Sequence, residues 1–321
     1  MDALELIRLN LVSPMVLCFV LGAVAQFFRS DLKLPEGAYT ALSIYLLLAV
    51  GLKGGVALSG VELSTVVLPI IGTVVLGSLI PVVIFTVCRS IGKLDSINSA
   101  ALAAHYGSVS AVTFIACITF LDALKREYPL FSPALVAVME IPGIIIALLL
   151  VKKASESKGN LAHALKEIVT GKSILLLAGG MLIGYLTGEQ GYKGVEPFFK
   201  QPFQGALCIF MLDMGLLAVA RLSEIKKAGW FIVGLGIISP IVMGTCGLLV
   251  GKFVGLGLGG STVLAVLSAS ASYIAAPAAV RVALPQANPS YYLTAAVGIT
   301  FPFNLSIGIP LYFSIAQKLF T

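Results

Sequence analysis

Residues 104–111, Ala104-His105-Tyr106-Gly107-Ser108-Val109-Ser110-Ala111, have a counterpart 162 positions later in Leu267-Ser268-Ala269-Ser270-Ala271-Ser272, an alignment that pairs Ser108 with Ser270 and Ser110 with Ser272. Three more pairs keep nearly the same spacing: Val50-Gly51-Leu52 with Met214-Gly215-Leu216, Pro81 with Pro240, and Glu140-Ile141-Pro142 with Thr300-Phe301-Pro302. Gly, Ser and Pro are common in membrane helices, so no single pair is specific. Their shared order and near-constant offset carry the inference. The chain reads as one membrane unit present twice, residues 1–161 and 162–321, each with an odd number of spans. An odd repeat must insert upside down relative to its twin.

Composition agrees. Of 321 residues, 58% are hydrophobic and 11% charged, and the mean hydropathy is +1.02, which leaves far more apolar residues than a soluble interior could hold. A span needs about 20 apolar residues. Ten windows meet that length: 9–28, 37–59, 64–88, 99–121, 132–151, 168–187, 203–222, 228–254, 261–284 and 290–316. They are continuous runs without the period-two alternation of a membrane barrel. The fold class predicted is an all-α polytopic membrane protein of ten helices, arranged as two inverted five-helix repeats with broken, crossing helices. The first span lacks a basic leader and a small-residue cleavage site and is expected to be retained. Cys18, Cys88, Cys117, Cys208 and Cys246 all fall inside apolar windows without CxxC spacing and read as small interior residues.

The charges orient the chain. Thirteen of the 21 Lys and Arg residues fall on the side that holds the loop between spans 5 and 6, seven fall on the other, and Lys53 lies within a span. The positive-inside rule puts that loop in the cytoplasm and both termini outside, in a plasma membrane. The net charge of +6 is thus a matter of orientation and anionic lipid, not of nucleic acid. The same loop, from Lys152 to about Lys172, is the longest polar connection and the candidate surface for a soluble partner, or simply a solvated linker.

The repeated motif marks a site. Gly107, Ser108 and Ser110 interrupt span 4; Ser268, Ser270 and Ser272, followed by Pro277, interrupt span 9. Irregular backbone at membrane depth is tolerated only where it lines a cavity or faces protein. Two half-helices starting at such breaks would present free N–H groups and partial positive charge, an anion site with no lysine or arginine beside it. Serine hydroxyls add rotatable donors. Against this stands the common use of membrane serines to bond their own turn or a neighbouring helix; two aligned clusters favour the site. The expected anion-binding residues are Gly107, Ser108, Val109, Ser110 and Ala111 with Ser268, Ala269, Ser270, Ala271, Ser272 and Tyr273.

Intramembrane carboxylates are costly and by default functional. Glu140 precedes Pro142, which removes one helical hydrogen bond and frees a carbonyl, so carboxylate and carbonyl together suit Na⁺. Thr300 and Asn304 of the counterpart stretch offer a hydroxyl, an amide and a second Pro-freed carbonyl, and complete the expected sodium residues. A proton carrier is the rival role for Glu140. Asp213 and Lys53 are expected to form a buried ion pair, Gly51, Gly54 and Gly55 to allow close helix approach, and His105 to be a satisfied interior side chain, with a ligand or proton relay as its alternative role.

At these residues the chain resembles a known family. Ser272-Tyr273-Ile274-Ala275-Ala276-Pro277-Ala278-Ala279-Val280-Arg281, Ala287-Asn288-Pro289-Ser290 and Gly308-Ile309-Pro310-Leu311-Tyr312-Phe313 are similar to the last two spans of SbtA-type sodium-dependent bicarbonate transporters. Gly51-Leu52-Lys53-Gly54-Gly55, Gly107-Ser108-Val109-Ser110-Ala111 and Glu140-Ile141-Pro142 resemble their first half. The resemblance implies a fold akin to the bile-acid symporters and sodium/proton antiporters, with spans 3–5 and 8–10 as a core moving against a gate of spans 1, 2, 6 and 7. It also implies a homotrimer, symport of Na⁺ with bicarbonate, and inhibition by a PII-like cytoplasmic protein that senses adenine nucleotides. Na⁺ is the co-transported ion, and no organic cofactor is expected. Another small anion or organic acid, or cation/proton exchange on the same fold, is the alternative. An intramembrane enzyme is disfavoured: a serine protease needs a paired nucleophile and base, but Gly107-Ser108 lacks a following Gly and the only histidine besides His105, His163, lies in the central loop, and no intramembrane Asp pair or metal-spaced His/Cys cluster occurs. A regulated receptor stays open.

Overall fold

A computed structural model describes residues 3–154, 166 and 169–321. Most of the central polar loop, the expected partner surface, lies outside the described residues. Among the described residues the chain is helical without strands. In order, the helices are α1 (Ala3–Leu11), α2 (Pro14–Phe27), α3 (Glu36–Leu58), α4 (Leu63–Ser90), α5 (Ser96–Gly107), α6 (Ala111–Ala123), α7 (Ser132–Ala154) and α8 (Lys172–Tyr192). Then follow α9 (Glu196–Lys200), α10 (Phe203–Leu222), α11 (Ile225–Ala228), α12 (Trp230–Phe253), α13 (Gly257–Ala269), α14 (Ala275–Ala283) and a last helical segment, α15 (Pro289–Leu319).

Among the described residues, seven segments are long and apolar enough to cross a membrane, and an eighth arises if α1 and α2, bent by 67° at Val12-Ser13, count as one. The remaining two windows are carried by α8, which leaves helical geometry at Gly188 (φ 59°), and by α13 and α14, parted by a non-helical break. The break leaves α13 with 13 residues, too short to span alone, whereas α5 and α6 still run from Ser96 to Ala123 across theirs.

Two packing relations repeat. Gly51 of α3 faces the backbone of α8 at Leu176, Leu177 and Gly180, while Gly55 and Gly184 face the partner helix's backbone so closely that a Cβ on either would run into a carbonyl. Gly215 of α10 meets the backbone of α2 at Phe19 and Ala23 in the same way, and Gly22 of α2 meets Leu212. Lipid is as apolar as leucine, so such contacts are held by close van der Waals approach, which small residues permit.

The expected Lys53–Asp213 pair does not form. Ion pairs among the described residues include Lys200–Glu196 and Arg221–Glu224, and neither involves Lys53 or Asp213. Lys53 lines a cleft with Gln204 near the start of α10. Asp213 stands nine residues on, ~13.5 Å farther along that helix at 1.5 Å per residue.

Candidate functional site

The helix α5 ends at Gly107, Ser108 turns extended (φ −101°, ψ 166°), and α6 restarts at Ala111 behind Ser110 (ψ 107°). The other break is similar: α13 ends at Ala269, Ser270 is extended (φ −87°, ψ 166°), and α14 restarts at Ala275. The breaks touch. The Ser110 N–H donates to Ser270 Oγ at 3.0 Å, and the Ser272 N–H donates to the His105 carbonyl at 2.7 Å. Backbone groups released by each break are therefore satisfied by the other, which is what buried non-helical chain requires.

Not every serine does the same work. Ser110 Oγ caps α6, accepting from Thr113 N–H at 3.1 Å and from the Thr113 hydroxyl at 2.8 Å. Ser272 Oγ accepts from the Ala276 N–H at 3.2 Å. Ser268 only bonds its own turn, at Leu264 O, 2.8 Å away, so for it the bland expectation holds. Ser108 Oγ is buried with no partner. The two helix starts are unequal as well. Ala111 and Val112, in the first turn of α6, have no carbonyl ahead of them to bond. In α14 the Ala276 N–H is taken and Pro277 has none, which leaves Ala275. The positive end of α6 is the stronger donor.

Glu140 joins this crossing. It is 2% exposed on α7, and it lines a closed seam, too narrow to admit a water molecule, with Val109, Ser110, Ala111, Tyr273, Ile274 and Ser173. Carboxylate and first turns of both half-helices thus share one space. Its Oε2 and the Tyr273 hydroxyl, which faces Ser110 without well-aligned bonding, are buried and unpartnered. Three residues past Glu140, Gly143 lies against Gly107: a Cβ on Gly143 would run into the Gly107 carbonyl. That backbone contact fixes α7 beside the break. Pro142, inside α7, cannot donate to the Val138 carbonyl, so an oxygen is freed one turn before the proline.

Thr300 and Asn304 share no hydrogen bond with Glu140. Thr300 Oγ1 donates to Gly236 O at 2.9 Å, the carbonyl that Pro240 of α12 leaves free, and lies 2.7 Å from the Tyr106 hydroxyl. Asn304 Nδ2 donates to Ala269 O, the end of α13, at 2.8 Å, and its Oδ1 accepts from Tyr312 at 3.2 Å. Both belong to a feature absent from the sequence reading: α15 contains two π-helical stretches, Thr294–Thr300 and Asn304–Gly308. Such stretches are rare and often mark functional sites. Pro302 and Pro310, each removing a donor, were the available signal. Asn10 of α1 donates to the Leu305 carbonyl there at 2.6 Å. His105 bonds Ala101 O through Nδ1 at 2.6 Å and stacks on Tyr292 with ring centroids 4.3 Å apart, while its Nε2 has no partner.

Two helix breaks in contact, buried among long apolar helices, define a polytopic membrane protein with a buried polar cluster. Residues 14–317 match the family model described as the Na⁺-dependent bicarbonate transporter superfamily. The chain belongs to that family. No curated protein matches it.

Proposed function

We propose that this protein is a sodium-driven symporter that imports bicarbonate across the plasma membrane by alternating access. The observation that carries the reading is the Ser110–Ser270 contact between the two breaks, with Glu140 lining the same seam. Bicarbonate lies against the free N–H groups of Ala111 and Val112 and the hydroxyls of Ser108, Ser110, Ser270 and Tyr273. A fixed cation is missing from the seam, so binding is dipolar and reversible, as transport requires. Na⁺ sits between the anion and the Glu140 carboxylate, with the carbonyl freed by Pro142 within reach of the same region. Without Na⁺ the carboxylate would repel the anion; with it, each ion improves the site for the other.

The duplicated glycine packing of α3 on α8 and α10 on α2 supports two inverted five-helix repeats, 1–161 and 162–321. On that reading the split spans α5–α6 and α13–α14 are equivalent, and both termini face outward. Thr300 and Asn304 serve less as sodium ligands than as braces that tie α15 to α12 and to the end of α13. One Na⁺ per anion is electroneutral, so the membrane potential adds driving force only if more Na⁺ moves. The test is uptake of ¹⁴C-labelled inorganic carbon by proteoliposomes at a pH where bicarbonate dominates. An inward Na⁺ gradient should start uptake that K⁺ does not; equal uptake with either cation would refute sodium coupling.

A further inference from the structure

A cleft of about 280 Å³, open to solvent, runs between α3, α6 and the α8–α10 region. Its walls are largely apolar, with Ala49, Val50 and Phe114 among them. Phe114 stands four residues past Ser110, about 6 Å along α6, so the inner wall is one helical turn from the crossing. Four charged side chains line the cleft. Lys200 is held by Glu196 at 2.8 Å. Asp122 receives a long hydrogen bond from Tyr128 at 3.4 Å. Lys53 forms no ion pair among the described residues, although it lies within the apolar run of α3 and is exposed to the cleft. Tyr192 is the remaining titratable group there. A lysine inside a span is expensive unless it serves a water-filled path, and Gly51, Gly54 and Gly55 commit the other faces of this turn to close packing.

We propose that Lys53 is a collecting site for small oxyanions at the mouth of the path to the crossing. The inference rests on the transport reading above and adds a second, outer anion site to it. An unpaired cation on a low-dielectric wall focuses the field and raises the local anion concentration. Because the charge stands outside the seam of Glu140, it attracts the anion without holding it where it must be released. Asp122 opposes Lys53 and sets the limit of that attraction.

Two measurements test this separately. In the first, Thr119, on the same cleft, is changed to Cys, and its modification by an anionic and a cationic methanethiosulfonate reagent is timed, with native-cysteine reactivity subtracted using the parent protein. The anionic-to-cationic rate ratio should drop roughly threefold or more in Lys53→Gln, persist in Lys53→Arg, and lose its dependence on residue 53 near about 1 M salt. An unchanged ratio in Lys53→Gln overturns the proposal. The second measurement is uptake. Lys53→Gln should raise the KM for bicarbonate with Vmax retained, Lys53→Arg should restore it, and Asp122→Asn should lower it. A fall in Vmax at unchanged KM would make Lys53 a packing residue and also overturn the idea. If the wild type shows no sodium-dependent uptake, the transport reading fails, and the reagent ratio still decides the Lys53 claim alone.

Discussion

Ser268 and Ser270 look alike in sequence and differ in the structure by what their hydroxyls reach. Both hydroxyls donate to their own helix, Ser268 to the Leu264 carbonyl and Ser270 to the Leu267 carbonyl, but Ser270 alone also accepts the N–H of the opposite break. Losing that acceptor leaves a buried donor unpaired, which costs about 1–3 kcal/mol. Ser270→Ala should therefore reduce Vmax/KM for bicarbonate on the order of tenfold, whereas Ser268→Ala should change it less than about twofold, because removing a back-bonding hydroxyl exposes no donor at the crossing. Uptake by proteoliposomes carrying each variant checks the contrast. The serine clusters were visible as a repeated pattern, but the division of labour within them was not: which way a hydroxyl points depends on chain 160 residues away. Lys53 and Asp213 show the same limit. Their equivalent places in the repeats suggested a pair, and helix rise alone puts them on different levels.

At the scale of elements, the glycines mark helix contacts. Gly51→Ala and Gly215→Ala would each force a methyl into a neighbouring backbone and should destabilise the protein by about 1–3 kcal/mol, seen as lower thermal midpoints in detergent. Gly179→Ala and Gly205→Ala, where nothing lies within 4 Å of the added atom, should be neutral or slightly stabilising. Similar losses at Gly51 and Gly215 would speak for equivalent helix pairs. The start of α5 gives a pH-dependent case outside the membrane. Burial pushes the Asp95 carboxyl up, but hydrogen bonds from the Asn98 N–H at 2.8 Å and Asn98 Nδ2 at 2.5 Å outweigh it and hold it below the usual carboxylate range. A lowered folded value means the cap contributes above the unfolded pKa of about 3.9 and is lost as pH falls through the folded one. Asp95→Ala should cost about 1 kcal/mol near pH 7, and the gap between variant and wild type should close in acid denaturation below about pH 3. Helices and breaks were legible because apolar run length and clustered Gly, Ser and Pro act locally. The π stretches of α15 were not, since a carbonyl left free by proline can be met by a shifted ladder, by Thr300 on Gly236, or by Asn10 on Ser306.

For the whole molecule, the central claim is that cation and anion meet at one crossing and improve each other's binding through Glu140. Coupling of this kind is reciprocal: if Na⁺ raises the affinity for bicarbonate by some factor, bicarbonate raises that for Na⁺ by the same factor. A buried carboxylate with an unpartnered oxygen beside two helix starts supplies the differential interaction that such linkage needs. The most direct measurement is calorimetric titration of bicarbonate into purified protein at several Na⁺ concentrations, for wild type and for Glu140→Gln. The wild type should bind more tightly as Na⁺ rises, by at least about tenfold across the series, and the variant should show a flat dependence. Bicarbonate affinity that ignores Na⁺ in the wild type, or that follows Na⁺ as steeply in Glu140→Gln, would contradict the account.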